Sequence, residues 1–368
     1  MTDVLIFTED PGAVNFVADL PAALARRGWH STMLADGLAP QCLAARGIPF
    51  EVVGEPVSGR RLLAAMAPRV LVVGTSENAH TQAFTLLEEA RHASTASVGI
   101  VDARTNADHR FRGESSDPLR HAPDWLLVPD VPTRQAFIAL GYPERRVVVC
   151  GHPHYDYVRR VRECLSRHDR DALKRRLVPG AGSRKVVMFA TEGSVRVGGQ
   201  TRADIVSYTL RGDGSSIGRT EIVLEEFLRA VATLEQRPYL VLRLHPKDTI
   251  EDYQPYRGDF DLVSSNASPL ELLYTADLVV GLTSMLLAEA CLLRRPTLSV
   301  VPRETEKGWL ATVEFGATPC VTTREEIAPA ISAILRGGAA SKPRADGLFP
   351  DGALDRAVVA IERLLERC

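Results

Sequence analysis

No two cysteines of this 368-residue chain stand as a Cys-x-x-Cys pair or at metal-ligand spacing. Cys42, Cys150, Cys164, Cys291, Cys320 and Cys368 are scattered, which excludes a disulfide framework and points to reduced thiols. An excess of charge of one sign is also lacking. With 44 Lys+Arg against 46 Asp+Glu, the net charge of -2 argues against nucleic acid and against general attraction to membranes. The basic runs Arg159-Arg160 and Lys174-Arg175-Arg176 read as solvated helix faces. No apolar run is long enough to span a bilayer: the most apolar window, Leu278 to Leu293, is short and carries Glu289. The chain enters a strand pattern almost at once, without signal-peptide features, so a cytoplasmic location is expected.

What is present is ordinary globular composition, 45% hydrophobic and 24% charged, in a chain long enough for two domains. Val4-Leu5-Ile6-Phe7 is a continuous apolar run, as expected of a strand buried on both faces. A helix is expected from about Ala13 to Arg27, with Gly28 as its stop. The alternation continues, with strands expected at 32–34, 50–53, 70–73, 97–101, 125–128 and 147–149. Such alternation predicts an α/β fold with a parallel sheet wound on both faces. A polar, Arg-rich helical stretch, Tyr157 to Leu177, ending in Pro179-Gly180-Ala181-Gly182 reads as a domain boundary. A second winding starts at Lys185 and runs through strands at 239–244, 262–263, 278–280, 297–300 and near 320–321. The expected domains are 1–155, a linker or hinge at 156–182, a second Rossmann-like domain at 183–350, and a C-terminal helix at 351–368 that crosses back to the first. Between Gly193 and Thr220 lies a polar segment with six glycines and no periodicity, expected to be disordered or a lid.

Ligands of open α/β sheets bind outside the carboxyl ends of the strands. That filter selects Glu9 and Asp10, Thr75 to Glu77, Asp102 and Arg104, Gly151-His152, Thr191-Glu192-Gly193, Arg243 and His245-Pro246-Lys247, and Thr283-Ser284. In the last stretch a short strand, a glycine and a Thr-Ser pair precede an apolar helix, so free N–H groups and the positive dipole end suit an anion. Alternatively Thr283 only caps the helix. Glu289 is a lone carboxylate amid Leu, Ala and Cys, costly without a partner; it reaches a ligand's ribose or ties the helix to its neighbours. Arg243 and His245 fall on one side by strand alternation, and Pro246 fixes the exit, so the imidazole can donate to phosphate. Gly193 would allow close backbone approach of a ligand, and Glu192 would accept from its hydroxyls or cap the next segment. Glu9 and Asp10 are candidates for a general base, although Asp10 before Pro11 is also an N-cap pattern. Asp102 with Arg104, Asp108 and His109 is the other acid–base cluster. His152 and His154 read as hinge packing.

These residues carry a resemblance. Gly151-His152-Pro153-His154-Tyr155-Asp156 resembles the Gly-(Asn/His)-Pro-x-x-Asp segment of the non-hydrolysing UDP-GlcNAc 2-epimerases. Arg243-Leu244-His245-Pro246 followed by Thr283-Ser284 resembles the His-Pro and Ser/Thr motifs of bacterial sialyltransferases, polysialyltransferases, Kdo transferases and CDP-glycerol glycerophosphotransferases. The resemblance implies a GT-B-like fold with two Rossmann-like domains facing a central cleft. It also implies His and hydroxyl groups holding the phosphate of a CMP- or CDP-linked donor, with an acidic pair before a glycine as base. Glu9-Asp10-Pro11-Gly12 matches that last element with one inserted proline. The function expected first is metal-independent glycosyl or glycerophosphate-type transfer to a hydroxyl acceptor. The catalytic residues would be Asp10, Glu9, Asp102 and His245. The donor would be held by Thr191, Glu192, Gly193, Arg243, His245, Lys247, Thr283, Ser284 and Glu289. The alternative is a nucleotide-sugar 2-epimerase or hydrolase on the same fold, working by elimination and re-addition. A non-catalytic nucleotide-sugar-binding protein is the third reading. No cofactor and no metal are expected, since His245, Lys247 and the helix end suffice to neutralise the leaving phosphate. The partners would be the nucleotide-sugar donor and a small-molecule or glycan acceptor; peripheral membrane contact and a homodimer stay open.

Overall fold

The computed structural model describes residues 2–53, 59–75, 78–193, 204–214, 216–265, 269–337 and 347–366. It divides into two compact units, Met1–Asp156 with Pro350–Cys368, and Tyr157–Phe349. Each is built on one wholly parallel sheet, and the fold is the expected α/β, GT-B-like pair of Rossmann-like units.

In the first unit the strands are β1 (Val4–Thr8), β2 (Ser31–Ala35), β3 (Glu51–Val52), β4 (Val70–Gly74), β5 (Ala96–Ile100), β6 (Trp125–Val128) and β7 (Val147–Val149). They lie in the order β3-β2-β1-β4-β5-β6-β7. The apolar run of β1 is buried on both faces because its side chains alternate between two cores. Val4 and Ile6 pack with the helices Pro11–Val17 and Leu20–Ala25, while Leu5 and Phe7 pack with the helix Gln82–His92. The terminal helix Ala353–Leu365 adds Ala357, Val358, Ile361 and Leu365 to the first of these cores. Glu362 fastens it at the surface by accepting from Arg27 at 2.5 Å and from the Trp29 indole at 3.1 Å.

In the second unit β8 (Val186–Ala190), β9 (Tyr239–Arg243), β10 (Leu262–Ser264), β11 (Leu278–Gly281), β12 (Thr297–Val300) and β13 (Cys320–Val321) lie in the order β10-β9-β8-β11-β12-β13. Val187, Phe189, Leu240, Leu242 and Val280 cover one face together with Phe227 of the helix Arg219–Ala232 and Ile331 of the helix Arg324–Leu335.

Two expectations, on the first helix and on the polar segment before Thr220, are corrected. The helix foreseen from Ala13 to Arg27 is two helices, Pro11–Val17 and Leu20–Ala25. Pro21 has no N–H to give to the carbonyl four residues back, so the ladder breaks there. The Arg-rich stretch at 156–182 is helical, as its pattern predicts, and carries the helices Pro153–Leu165 and Arg170–Leu177. Arg170 donates to the carbonyls of Tyr274, Thr275 and Ala276 and to Asp277, and so holds its helix to the end of the helix Pro269–Thr275. The polar segment before Thr220 is not loose over its described second half. Glu225 accepts from the Asp213 N–H and the Ser216 hydroxyl, and Glu226 from the N–H groups of Arg211 and Gly212. Residues 194–203 and 215 of that segment lie outside the described residues, as do Ser76, Glu77 and residues 367 and 368.

Candidate functional site

The strand order of the second unit reverses between β8 and β11, the point where an open α/β sheet opens a crevice at its carboxyl end. Thr191-Glu192-Gly193 leaves β8 on one side of that point and Leu282-Thr283-Ser284 leaves β11 on the other. The helix Met285–Leu292 is capped by Ser284, not Thr283: the Ser284 hydroxyl accepts from the Leu286 N–H at 3.3 Å. Thr283 turns to Glu192. Its N–H donates to one carboxylate oxygen of Glu192, and its hydroxyl donates to the other at 3.1 Å.

Glu192 is one end of a charge chain that the sequence reading missed. Arg219, only 5% exposed, donates to Glu192 at 2.5 Å, to Glu306 at 2.7 Å and to the Thr283 hydroxyl at 3.2 Å. Glu306 is fully buried and also accepts from Arg303 at 2.5 Å. Burial works against the charge of Arg219, but Glu192 and Glu306 outweigh it and raise its pKa above the ordinary arginine value. The guanidinium groups of Arg219 and Arg303 both lie over the half-exposed ring of Trp309, at 5.4 and 5.7 Å from its centre. Arg219 follows Gly218 at the end of an aperiodic stretch, and Glu306 lies in a short 3-10 turn after β12. Neither position has a periodic signal. The one signal Glu306 carries in the sequence is that of a charged residue beyond a strand exit, here that of β12.

His245 and Lys247 lie just beyond β9. The His245 N–H donates to the Thr191 hydroxyl at 2.7 Å, and its ring Nδ1 accepts from the Lys247 N–H at 3.1 Å. Acceptance at Nδ1 puts the proton of the neutral ring on Nε2, which is therefore a donor. Thr191 is fully buried, and its hydroxyl donates to Asp248 at 2.6 Å; it aligns the exits of β8 and β9 and is not open to a ligand. A β-carbon at Gly193 would come to 3.0 Å from His245 Nδ1 and 3.3 Å from Lys247 Cβ. The close approach that requires glycine is thus made by the protein's own His245 loop. Arg243 is buried and donates to the Ser264 hydroxyl at 3.0 Å. Burial lowers its pKa while the charge of Glu289, buried in the helix Met285–Leu292, opposes the shift. Glu221, in the first turn of the helix Arg219–Ala232, has its carboxyl pushed up by burial, with Asp248, Glu225 and Asp252 adding to the shift.

The first unit reverses its strand order between β1 and β4. Glu9 leaves β1 there and is buried, accepting from the Thr81 hydroxyl at 2.6 Å. Asp10 is the N-cap residue of the helix Pro11–Val17, but its side chain makes no cap hydrogen bond. Asp102, beyond β5, lies 3.2 Å from Arg110. It also lies against Gly12, where a β-carbon would meet its carboxylate oxygen at 2.0 Å. The structure therefore brings Asp10 and Asp102 to the same helix start and turns Glu9 inward. Asp108 and His109 pair with each other at 3.4 Å on the surface. His152 is buried against Phe16 and Tyr155. The sequence contains Asp-x-Asp spacings at Asp169–Asp171 and Asp259–Asp261, and both have structural roles. Asp169 caps the helix Arg170–Leu177, and Asp261 accepts from Arg184 and the Leu240 N–H. Among the described residues no group of three His, Cys, Asp or Glu side chains has metal-binding geometry.

No family model and no curated relative matches the chain. Solved structures do. The UDP-GlcNAc 2-epimerase of Neisseria meningitidis bound to UDP-GlcNAc is similar at 15% identity and a TM-score of 0.67, over 99% of both chains. The UDP-GlcNAc 2-epimerase of Methanocaldococcus jannaschii, in complex with UDP-GlcNAc and UDP, is similar at 14% identity and 0.66, over 98% of this chain and 99% of that one. S. aureus MnaA, solved with UDP, is similar at 14% identity and 0.68, over 100% and 98%. At such identities the likeness establishes architecture: the chain has the two-sheet, GT-B-like fold of the UDP-GlcNAc 2-epimerases.

Proposed function

We propose that this chain is an enzyme acting on a nucleotide sugar, and that its reaction is epimerisation or hydrolysis of a UDP-linked amino sugar. The observation that carries this reading is the end-to-end likeness of both units to 2-epimerases solved with UDP-GlcNAc or with UDP-GlcNAc and UDP. The switch-point residues support it. His245 Nε2 would donate to a phosphate oxygen, Lys247 would add positive charge from an exposed position, and the helix Met285–Leu292 begins at the exit of β11 nearby. For proton transfer in the first unit the reading takes Asp10 and Asp102, with Glu9 as a positioning group fixed by Thr81.

Incubation with UDP-GlcNAc in D2O without an acceptor, followed by proton and phosphorus NMR, tests it. An epimer carrying deuterium at carbon 2, or release of UDP, supports the reading. Intact UDP-GlcNAc under saturating enzyme sinks it. The transferase reading keeps one observation in its favour, the placing of His245-Pro246 and Thr283-Ser284 at the exits of β9 and β11. Consumption of a CMP- or CDP-linked donor only when a hydroxyl acceptor is added would select it instead.

A further inference from the structure

Thr283 offers an N–H and a hydroxyl at the sheet's switch point, the pair of donors that a phosphate oxygen would take. Both are already given to Glu192, whose carboxylate is pinned a second time by Arg219. Glu192 is not there by slack in the chain. Its carbonyl accepts from the Thr220 hydroxyl at 2.7 Å, and Arg219 is itself locked on its far side by the fully buried Glu306. The Glu192 side chain is nonetheless 16% exposed, so it is not sealed from solvent.

We infer that Glu192 is a resident anion in the phosphate seat of the second unit. A nucleotide diphosphate binds there only by displacing the carboxylate from Thr283. The inference rests on the nucleotide-sugar reading above. Displacement is an exchange of acceptors. The Thr283 N–H and hydroxyl pass from a carboxylate to a phosphate oxygen, and Glu192 keeps its ion pair with Arg219. With the carboxylate in place, an incoming phosphate meets a like charge sharing its own donors. Inorganic phosphate and pyrophosphate are thereby rejected, and only a ligand with further contacts to base and sugar displaces the carboxylate. Glu192 is then a specificity-determining residue rather than a contact to the donor's hydroxyls.

The test is calorimetric titration of UDP, pyrophosphate and uridine into the wild type and Glu192→Gln, which keeps the shape and removes the charge. UDP and pyrophosphate are expected to bind Glu192→Gln at least tenfold more tightly than wild type, and uridine equally. Should the glutamine variant fail to fold, Glu192→Asp, one methylene short of spanning Thr283 and Arg219, is expected to bind UDP at least threefold more tightly than wild type. Equal or weaker UDP binding by the variant, with measurable wild-type binding, overturns the inference and leaves the nucleotide-sugar reading standing. A gain for pyrophosphate with no preference for UDP supports the resident anion and overturns the nucleotide-sugar reading. No binding of any phosphate by either protein overturns both.

Discussion

Replacing Arg219 by methionine should cost the second unit about 3 kcal/mol. Arg219 is 5% exposed, and its partner Glu306 is fully buried. Removing one partner of a buried ion pair costs about 3–5 kcal/mol, because the remaining charge is left in a poor solvent for it. Here the loss falls at the low end. Glu306 still receives Arg303 at 2.5 Å, and Glu192 still receives the Thr283 hydroxyl at 3.1 Å. For a unit of this size about 3 kcal/mol corresponds to a fall of roughly 6–12 °C in Tm. The assay is urea or thermal unfolding followed by Trp309 fluorescence in a Trp29→Phe, Trp125→Phe background. The chain has three tryptophans, and of these only Trp309 lies in the second unit. Adding Glu306→Gln to Arg219→Met should restore about 1 kcal/mol, since the buried charge left with a single partner is removed and Arg303 remains part-exposed. An Arg219→Met protein within about 1 kcal/mol of wild type would refute the view that this network is a buried, mutually dependent set of charges.

Two further outcomes follow from buried groups in the first unit. His152 is buried, and burial, with His154 adding, lowers its pKa well below the ordinary histidine value. The folded state therefore binds fewer protons than the unfolded chain below about pH 6.5. Stability should be flat above that pH and decline as pH falls through it; His152→Phe should flatten the acid limb of a Tm-against-pH series, and an unchanged limb would exclude His152 as its cause. Burial also pushes the Cys150 thiol up to about 12, whereas Cys164 is exposed. A disulfide reagent at pH 8 with peptide mapping should label Cys164 at once and Cys150 only on unfolding; prompt labelling of Cys150 would contradict its packing.

The sheets were legible because their strands are buried on both faces and read as unbroken apolar runs, as in Val4-Leu5-Ile6-Phe7 and Val186-Val187-Met188-Phe189. Strand exits were equally legible: His245, Thr283 and Glu192 lie just beyond β9, β11 and β8, where the alternation of the sequence puts them. Their partnerships were not legible, because those depend on residues far apart in the chain. Thr283 and Glu192 are joined to each other across the switch point. Arg219 joins both to Glu306, and no local pattern marks a guanidinium that will be buried between two acids. Thr191 and Gly193 were assigned to a ligand because small and hydroxyl residues suit one. Their neighbours Asp248 and His245 use them instead. Glu9 and Asp10 are adjacent in sequence, yet strand alternation turns Glu9 toward Thr81 and leaves Asp10 at the helix start. Pro21 marks the break in the first helical stretch by its missing N–H, while the apolar periodicity runs on through it.

The most direct test of the central claim is a titration of UDP into the isotopically labelled protein, following backbone amide resonances. If the second unit holds the nucleotide diphosphate at its switch point, the amides of Thr283 and Lys247 shift together and saturate at one affinity. His245→Ala should weaken that affinity by about tenfold or more, the loss of one hydrogen bond to a charged group. A full titration in which neither amide moves, or in which His245→Ala binds UDP as tightly as wild type, would contradict the account.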